Sequence, residues 1–447
     1  MDDLAERTFK HYYDQLVAGE KGLLPESSIE PVTELPDFDD LPEAGSEVRD
    51  ALDRTVVLKL NGGLGTSMGM TRAKSLLEVK DGLTFIDVIA RQVLELRKRS
   101  GARLPLVLMN SFYTRDDTLA ALGRYPELAA DVPPDFEQGK VPKLDAESLA
   151  PVEWPDDPDL EWAPPGHGDL YTSLVTSGML AELRSHGYEY AFVANADNLG
   201  ATLEERILGW FAREELPFLM EVADRTGADR KGGHLARRRD GGGLVLREIA
   251  QTPEDDLDAF QDVRRHRFFN TNTLWVNLRA LESLMDEREG VLGLPMIVNR
   301  KTVDPADPSS PKVIQLETAM GAAIDVFGGA AAVRVPRSRF APVKTTDDLL
   351  VLRSDAYELT GDAQLRLARH RGDAGPPLVS LDPDHFKLLR DFDARFPAGP
   401  PSLVRCERLE VRGDVRFGAG VTVRGKVTVA HEGEGQREIE DGAVLEG

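Results

Sequence analysis

The run Val56-Val57-Leu58-Lys59-Leu60 stops abruptly at Asn61-Gly62-Gly63-Leu64-Gly65-Thr66-Ser67-Met68-Gly69, and no other stretch constrains this chain as much. An apolar segment of strand length that ends at paired glycines reads as a buried strand feeding a tight loop. Glycine lets the main chain take positive φ and approach a bound group closely. Backbone N–H groups presented this way form a ready phosphate cradle. Thr66 and Ser67 add hydroxyls, and Lys74 adds a mobile cation. The plainer alternative is a glycine turn in an α/β protein with no ligand.

Two familiar phosphate loops do not fit. A Walker A loop needs Lys-Ser/Thr directly after its last glycine, and Gly69 is followed by Met70. A dinucleotide fingerprint needs a third glycine where Met68 stands. That disfavours a nicotinamide oxidoreductase. A nucleotidyltransferase loop does fit: strand, glycine turn, then a lysine reaching back.

The flanking sequence alternates strands and helices, which implies a largely parallel sheet. Strands are expected over 55–60, 104–109 and 190–194, with helices over 84–99 and 114–122. Asn110-Ser111-Phe112 and Asn195-Ala196-Asp197-Asn198 follow the second and third strands. Ligands of open α/β sheets collect at the carboxyl ends of strands, so three polar turns point to one crevice. Asp197 is placed to hold magnesium, which commonly takes only one or two protein carboxylates. A local Asp/Asn turn is the alternative.

Ahead of this region, residues 3–18 read as an amphipathic helix and 23–45 as a Pro- and acid-rich segment wrapping a domain or linking two. Beyond it the chain turns strand-rich, at 218–222, 243–246, 248–249 and 268–277. A strand's period of two puts Asn270 and Asn272 on one face. Residues 313–324 read as strand into helix, with Gln315 or Glu317 facing a ligand. Pro336–Thr346 is rigid and basic in an acidic chain, and its Lys344 suits a phosphate; a surface salt bridge is the alternative. A helix is expected over 345–357, opened by Thr346 or Asp347. Near the end, Leu409, Val415, Val421 and Val427 recur every six residues with glycines between, a spacing that suggests a short left-handed parallel β-helix.

The segment 60–74, LNGGLGTSMGMTRAK, resembles the loop of the eukaryotic-type UTP–glucose-1-phosphate uridylyltransferases, and further matches cover most of the chain. The resemblance implies a Rossmann-like nucleotide-diphospho-sugar transferase, α/β, with a mixed, mostly parallel central sheet flanked by helices. It implies an N-terminal helix and extended segment (1–50), a catalytic unit (51–372) and a C-terminal β-helix unit (373–447). Gln138 in the segment 136–143 matches the residue that reads the uracil edge. His167 in Gly166-His167-Gly168-Asp169 matches a donor in the family site. The nucleotide set is then Leu60, Gly62, Gly63, Gly65, Gln138, His167 and Gly168. The sugar set is Asn195, Asn198, Glu248, Asn270, Asn272 and Glu317, and the catalytic set is Lys74, Asp197 and Lys344. The implied reaction makes UDP-glucose and pyrophosphate from UTP and glucose 1-phosphate with magnesium. N-acetylglucosamine or galactose 1-phosphate, or a non-catalytic nucleotide-sugar sensor, are the rival readings.

Charge and cysteine content bound the partners. A formal net charge of −23 argues against nucleic acid or anionic membrane. One cysteine, Cys406, excludes an intrachain disulfide and fits a reducing compartment, which with the lack of a signal-peptide core points to the cytoplasm. A homo-oligomer through the C-terminal coil is the remaining expectation.

Overall fold

Strand β2 (Thr55–Asn61) lies at the centre of the molecule with all seven residues buried. Its alternate side chains feed two cores. Val57 joins one cluster, while Val56, Leu58 and Leu60 join the other. The computed structural model describes residues 3–45, 47–305, 307–372 and 374–447. Asp373, the first residue of the expected C-terminal unit, and Ala306 in the Pro/Asp-rich loop lie outside them.

The main sheet is built from β1 (Ile29–Pro31), β2, β3 (Leu106–Asn110), β4 (Asp135–Glu137), β5 (Tyr190–Asn195), β6 (Phe218–Asp224), β7 (His234–Arg238), β8 (Leu244–Arg247), β9 (Phe268–Asn277) and, after the hairpin β10 (Met296–Thr302) and β11 (Lys312–Thr318), β12 (Ala331–Arg334). Its through-order is β1-β7-β9-β5-β2-β3-β4. Strands β5, β2, β3 and β4 run parallel. The pairs β5–β9, β9–β6, β7–β8 and β1–β7 run antiparallel. The sheet is therefore mixed, with a parallel half and an antiparallel half, and the expectation of a mostly parallel sheet is corrected. On the second side only β7 and β8 form a short hairpin, and β12 pairs β6 in parallel at the edge.

Helix α1 (Asp3–Val17) packs Leu4 and Tyr12 inward. Helix α2 (Phe85–Ser100) opens on a capping box between Thr84 and Asp87 and closes on Gly101 at φ 69°. The segment at 23–45 does wrap the domain: β1 adds to the sheet edge, and Glu26 meets the buried Arg247 at 2.6 Å. Among the described residues no helix is long and apolar enough to cross a membrane.

Three local expectations fail. Strand β8 ends at Arg247, and Ile249–Gln251 is a 3-10 turn rather than more strand. The segment after β11 is a 3-10 turn, Met320–Asp325, held by tertiary contacts rather than by helical amphipathy. Helix α3 (Thr346–Arg353) is capped by Thr345 with Asp348, not by Thr346 or Asp347. It ends at an extended Ser354, and Tyr357 already lies in a strand.

In the C-terminal region β13 (Leu378–Leu381), β14 (Ser402–Arg412), β15 (Val415–Phe417), β16 (Thr422–Ala430), β17 (Arg437–Ile439) and β18 (Val444–Glu446) pair only in parallel, as two stacked ladders. Leu409 sits opposite Val427, three hexads on. Leu409, Val415, Val421 and Val427 are all buried, and their core is continuous with that of the α/β region.

Candidate active site

The parallel register lines up the ends of four strands. Asn61 pairs with Asn110, Asn110 with Glu137, and Leu60 with Asn195. The next residues, Gly62, Ser111, Gln138 and Ala196, therefore share one edge. They open a cleft of about 800 Å³ whose wall includes Leu60, Gly62, Gly63, Lys74, Gln138, His167, Asn195 and Asp197. The sequence reading named all eight. It missed Asn61, Ser75, Met109 and Pro164, which also line it. Asn61 had a signal, being the last polar residue of its strand; its amide donates to Asn110 Oδ1 at 2.7 Å and ties two strand ends together.

Gly62 lies directly under the Gln138 side chain. A Cβ there would lie 2.8 Å from the Gln138 amide, which rests directly on it. Gln138 is held from behind by its N–H donating to the Asn110 carbonyl at 2.7 Å. Gly65, at φ 68°, turns the loop so that Lys74 N–H returns to the Gly63 carbonyl at 3.0 Å. Gly65 packs beneath the Lys74 stem rather than lining the cleft. Lys59, on the opposite face of the strand, is buried and donates to the Ala201 carbonyl at 2.7 Å. Burial pulls its ammonium down to about 7.

Lys74 Nζ meets Asp197 Oδ2 at 2.7 Å, with both side chains mostly buried. Asp197 Oδ1 is buried and has no hydrogen-bond partner. No group of three or more His, Cys, Asp or Glu side chains forms a metal cage among the described residues. One unpartnered carboxylate oxygen beside a phosphate loop suits a hard cation that completes its shell with substrate oxygens and water, as magnesium does. The residues present fit that ion.

Asn198 is corrected. It is buried, its Oδ1 accepts from Ala341 N–H at 2.9 Å and Gly200 N–H at 3.2 Å, and its Nδ2 donates to the Arg339 carbonyl at 3.2 Å. At 2% exposure it lies outside the cleft wall, which takes it out of reach of a sugar there. Asn198 instead staples the Asp197 turn to the segment leading to Lys344, helped by Val343 N–H donating to the Asp197 carbonyl at 3.2 Å. Arg339 anchors that segment through a two-pronged pair with the fully buried Glu221, at 2.6 and 2.7 Å. Lys344 itself is exposed and lines a neighbouring depression with Arg337 and Phe340.

His167 sits in a turn clamped against β11. A Cβ on Gly166 or Gly168 would come within 2.4 or 2.3 Å of Thr318. Gly168 is thus a packing residue outside the cleft wall, which corrects its place in the nucleotide set. His167 Nδ1 accepts from Met320 N–H at 2.9 Å, which leaves Nε2 to carry the proton. Burial lowers its pKa, with the Glu317 carboxylate pulling the other way. The imidazole is therefore a neutral hydrogen-bond donor at the cleft.

The antiparallel half supplies a second polar group. Asn270 Nδ2 donates to Asn272 Oδ1 at 2.8 Å, and Asn272 N–H returns to Asn270 Oδ1 at 2.9 Å. Asn272 takes φ 57° beside a bulge against β6, so a kink and not plain alternation brings the two amides together. A Cβ at Gly321 would lie 2.6 Å from the Asn270 amide, and one at Gly233 would lie 2.5 Å from the Glu248 carboxyl. Burial raises the Glu248 pKa and Lys344 opposes it. Glu317 and Gln315 share Lys301, at 3.3 and 2.9 Å. The 320–321 turn joins the two halves, since Met320 holds His167 and Gly321 admits Asn270.

Comparisons with known proteins give the chain relatives both in sequence and in fold. A family model described as UTP–glucose-1-phosphate uridylyltransferase matches residues 6–424. The UTP–glucose-1-phosphate uridylyltransferase of Solanum tuberosum is 44% identical over 406 residues, 91% of this chain and 83% of that one. Its counterpart in Saccharomyces cerevisiae is 42% identical over 398 residues, 88% and 77% of the two chains. A solved UDP-glucose pyrophosphorylase from Leishmania major, an L281D mutant in complex with UDP-glucose, has a TM-score of 0.94 at 47% identity and covers 100% of this chain and 95% of that one. The UDP-glucose phosphorylase of Trypanosoma brucei gives 0.93 at 47% identity, again covering 100% and 95%.

Proposed function

The chain belongs to the UTP–glucose-1-phosphate uridylyltransferase family, and from that premise we propose that it makes UDP-glucose and pyrophosphate from UTP and glucose 1-phosphate in this cleft. The observation that carries the reading is the Lys74–Asp197 pair beside the glycine turn on which the Gln138 amide rests. A phosphate oxygen of glucose 1-phosphate attacks the α-phosphorus of UTP in line, the bond to the β-phosphate oxygen breaks, and pyrophosphate leaves. No protein nucleophile is needed, and the sugar C1–O bond stays intact. Catalysis is then the positioning of two mutually repelling anions and the neutralisation of charge at the α-phosphate.

The Gly62–Gly63 backbone and Lys74 hold the triphosphate. Asp197, through the oxygen Lys74 leaves free, is the protein ligand for magnesium, which when bound neutralises phosphate charge. Gln138 reads the base edge. Neutral His167 donates to a phosphate or to the nucleoside, and Lys344 meets phosphate from the neighbouring wall. Asn270, Asn272, Glu248 and Glu317, with Asn195, meet the sugar hydroxyls; paired Asn amides offer both donors and acceptors for them. Glucose is favoured over N-acetylglucosamine or galactose. We read the C-terminal ladders as a short left-handed β-helix, a site for homo-oligomer contacts, and the protein as cytoplasmic.

The test is pyrophosphate release with UTP, magnesium and a panel of sugar 1-phosphates, repeated with ATP, CTP, GTP and dTTP. Release with UTP and glucose 1-phosphate that a chelator abolishes is the expected result. Release with another sugar alone moves the sugar assignment. Binding of UDP-glucose without turnover makes the chain a sensor and overturns the reading.

A further inference from the structure

Asp169 is only 8% exposed and does not line the cleft, yet it stands between two of the cleft's functional side chains. Its Oδ2 accepts from Gly139 N–H at 2.6 Å and from the Ser173 hydroxyl at 2.6 Å. The same Gly139 N–H reaches Ser173 Oγ at 3.1 Å. A Cβ on Gly139 would come within 3.1 Å of the carboxylate, so the two groups are closely packed.

The consequence falls on Gln138. The peptide group before it is fixed by β3, through Gln138 N–H and the Asn110 carbonyl at 2.7 Å. The peptide group after it is fixed by Asp169. Its amide is pressed onto Gly62 from a third side. Only with both flanking peptides held does the side chain leave the backbone in one direction. Asp169 also closes the turn that carries His167, with its N–H on the Gly166 carbonyl at 3.3 Å. A buried carboxylate that meets two neutral donors and no cation is costly to keep, and burial raises its pKa despite them.

We propose that Asp169, seconded by Ser173, is a positioning residue that sets nucleobase selectivity by fixing Gln138 against the base edge. This rests on the reading of Gln138 as the base contact. Loosening the 138–139 peptide lets the amide rotate away from the geometry that distinguishes uracil from cytosine. A site that reads a base by hydrogen bonds discriminates strongly only while its polar groups are held in place.

The test is initial-rate kinetics of the full chain with UTP and with CTP, at saturating glucose 1-phosphate, for Asp169→Ala, Asp169→Asn, Ser173→Ala and Gln138→Ala. Asp169→Ala is expected to lower kcat/KM for UTP by about tenfold to a hundredfold, the scale of a small misplacement. The ratio of UTP to CTP use falls with it, while the KM for glucose 1-phosphate is unchanged. Asp169→Asn retains most of the ratio, because an amide oxygen in the place of Oδ2 accepts the same two donors. Ser173→Ala moves the ratio in the same direction by less, and it carries the test if Asp169→Ala does not fold. Equal losses with UTP and CTP would mark a structural residue and overturn the proposal. An unchanged ratio in Asp169→Ala beside a collapsed one in Gln138→Ala overturns it alone. An unchanged ratio in Gln138→Ala overturns the base assignment, and the proposal with it.

Discussion

The two halves of the main sheet are built in opposite ways. On the parallel side, β2, β3, β4 and β5 end together, and Gly62, Gln138, Asn195 and Asp197 reach the cleft from the last residue of a strand or the first two beyond it. On the antiparallel side the polar residues lie within strands or in turns between them. They need a bulge, a left-handed Asn272, and glycines at 233 and 321 to meet. A parallel register gathers ligands at no conformational cost, whereas an antiparallel one must be bent to do so. The parallel side therefore gathers its polar groups into the cleft wall, and the antiparallel side puts several into holding its own shape.

Four variants or conditions sharpen or break that contrast. Arg339→Ala leaves the Glu221 carboxylate, at 0% exposure, without its cation, and is expected to cost about 3–5 kcal/mol in urea unfolding. A loss under about 1 kcal/mol would show that this side is not self-supporting. Lys74→Ala is expected to lower kcat by a factor of about 10²–10³, with little change in unfolding midpoint. Near-normal turnover would remove the parallel side from the mechanism. Asn272→Val places a β-branched residue at φ 57° and should cost roughly 1–2 kcal/mol, with Asn272→Gly close to neutral in stability.

The smallest effect is on pH. His234 and His266 stack at 3.8 Å in the antiparallel half, with burial and the nearby Arg225, Arg247 and Arg265 lowering their pKa values and Glu26 opposing at His266. Both imidazoles are neutral in the folded state at neutral pH. As pH falls below the unfolded value of 6.5 the unfolded chain takes up protons first, so stability drops on acidification. Each group contributes at most about 1.4 kcal/mol per pH unit. Unfolding midpoints in urea at about pH 7.5 and about pH 5.5 check this, and His266→Gln should flatten the profile.

The same contrast explains what the sequence made legible. Val56–Leu60 announced a strand buried on both faces, and Asn195–Asn198 announced a turn at a strand end, because in a parallel sheet local order and spatial position coincide. The hexads at Leu409, Val415, Val421 and Val427 fall in a region of parallel strand pairs for the same reason. Asn198 was misassigned because its partners, Arg339 and Ala341, are distant in sequence and the residue type alone does not tell a staple from a ligand. The 3-10 turns at 249–251 and 320–325 were unreadable because tertiary hydrogen bonds hold them, as with His167 on Met320. The Glu221–Arg339 pair gave no signal, being separated by 118 residues.

The most direct test of this division of labour is a full two-substrate kinetic analysis of Asn270→Ala. The account predicts a KM for glucose 1-phosphate raised by about tenfold, the scale of one lost buried hydrogen bond, with the KM for UTP unchanged. A raised KM for UTP with an unchanged KM for glucose 1-phosphate would contradict it and exchange the roles of the two halves.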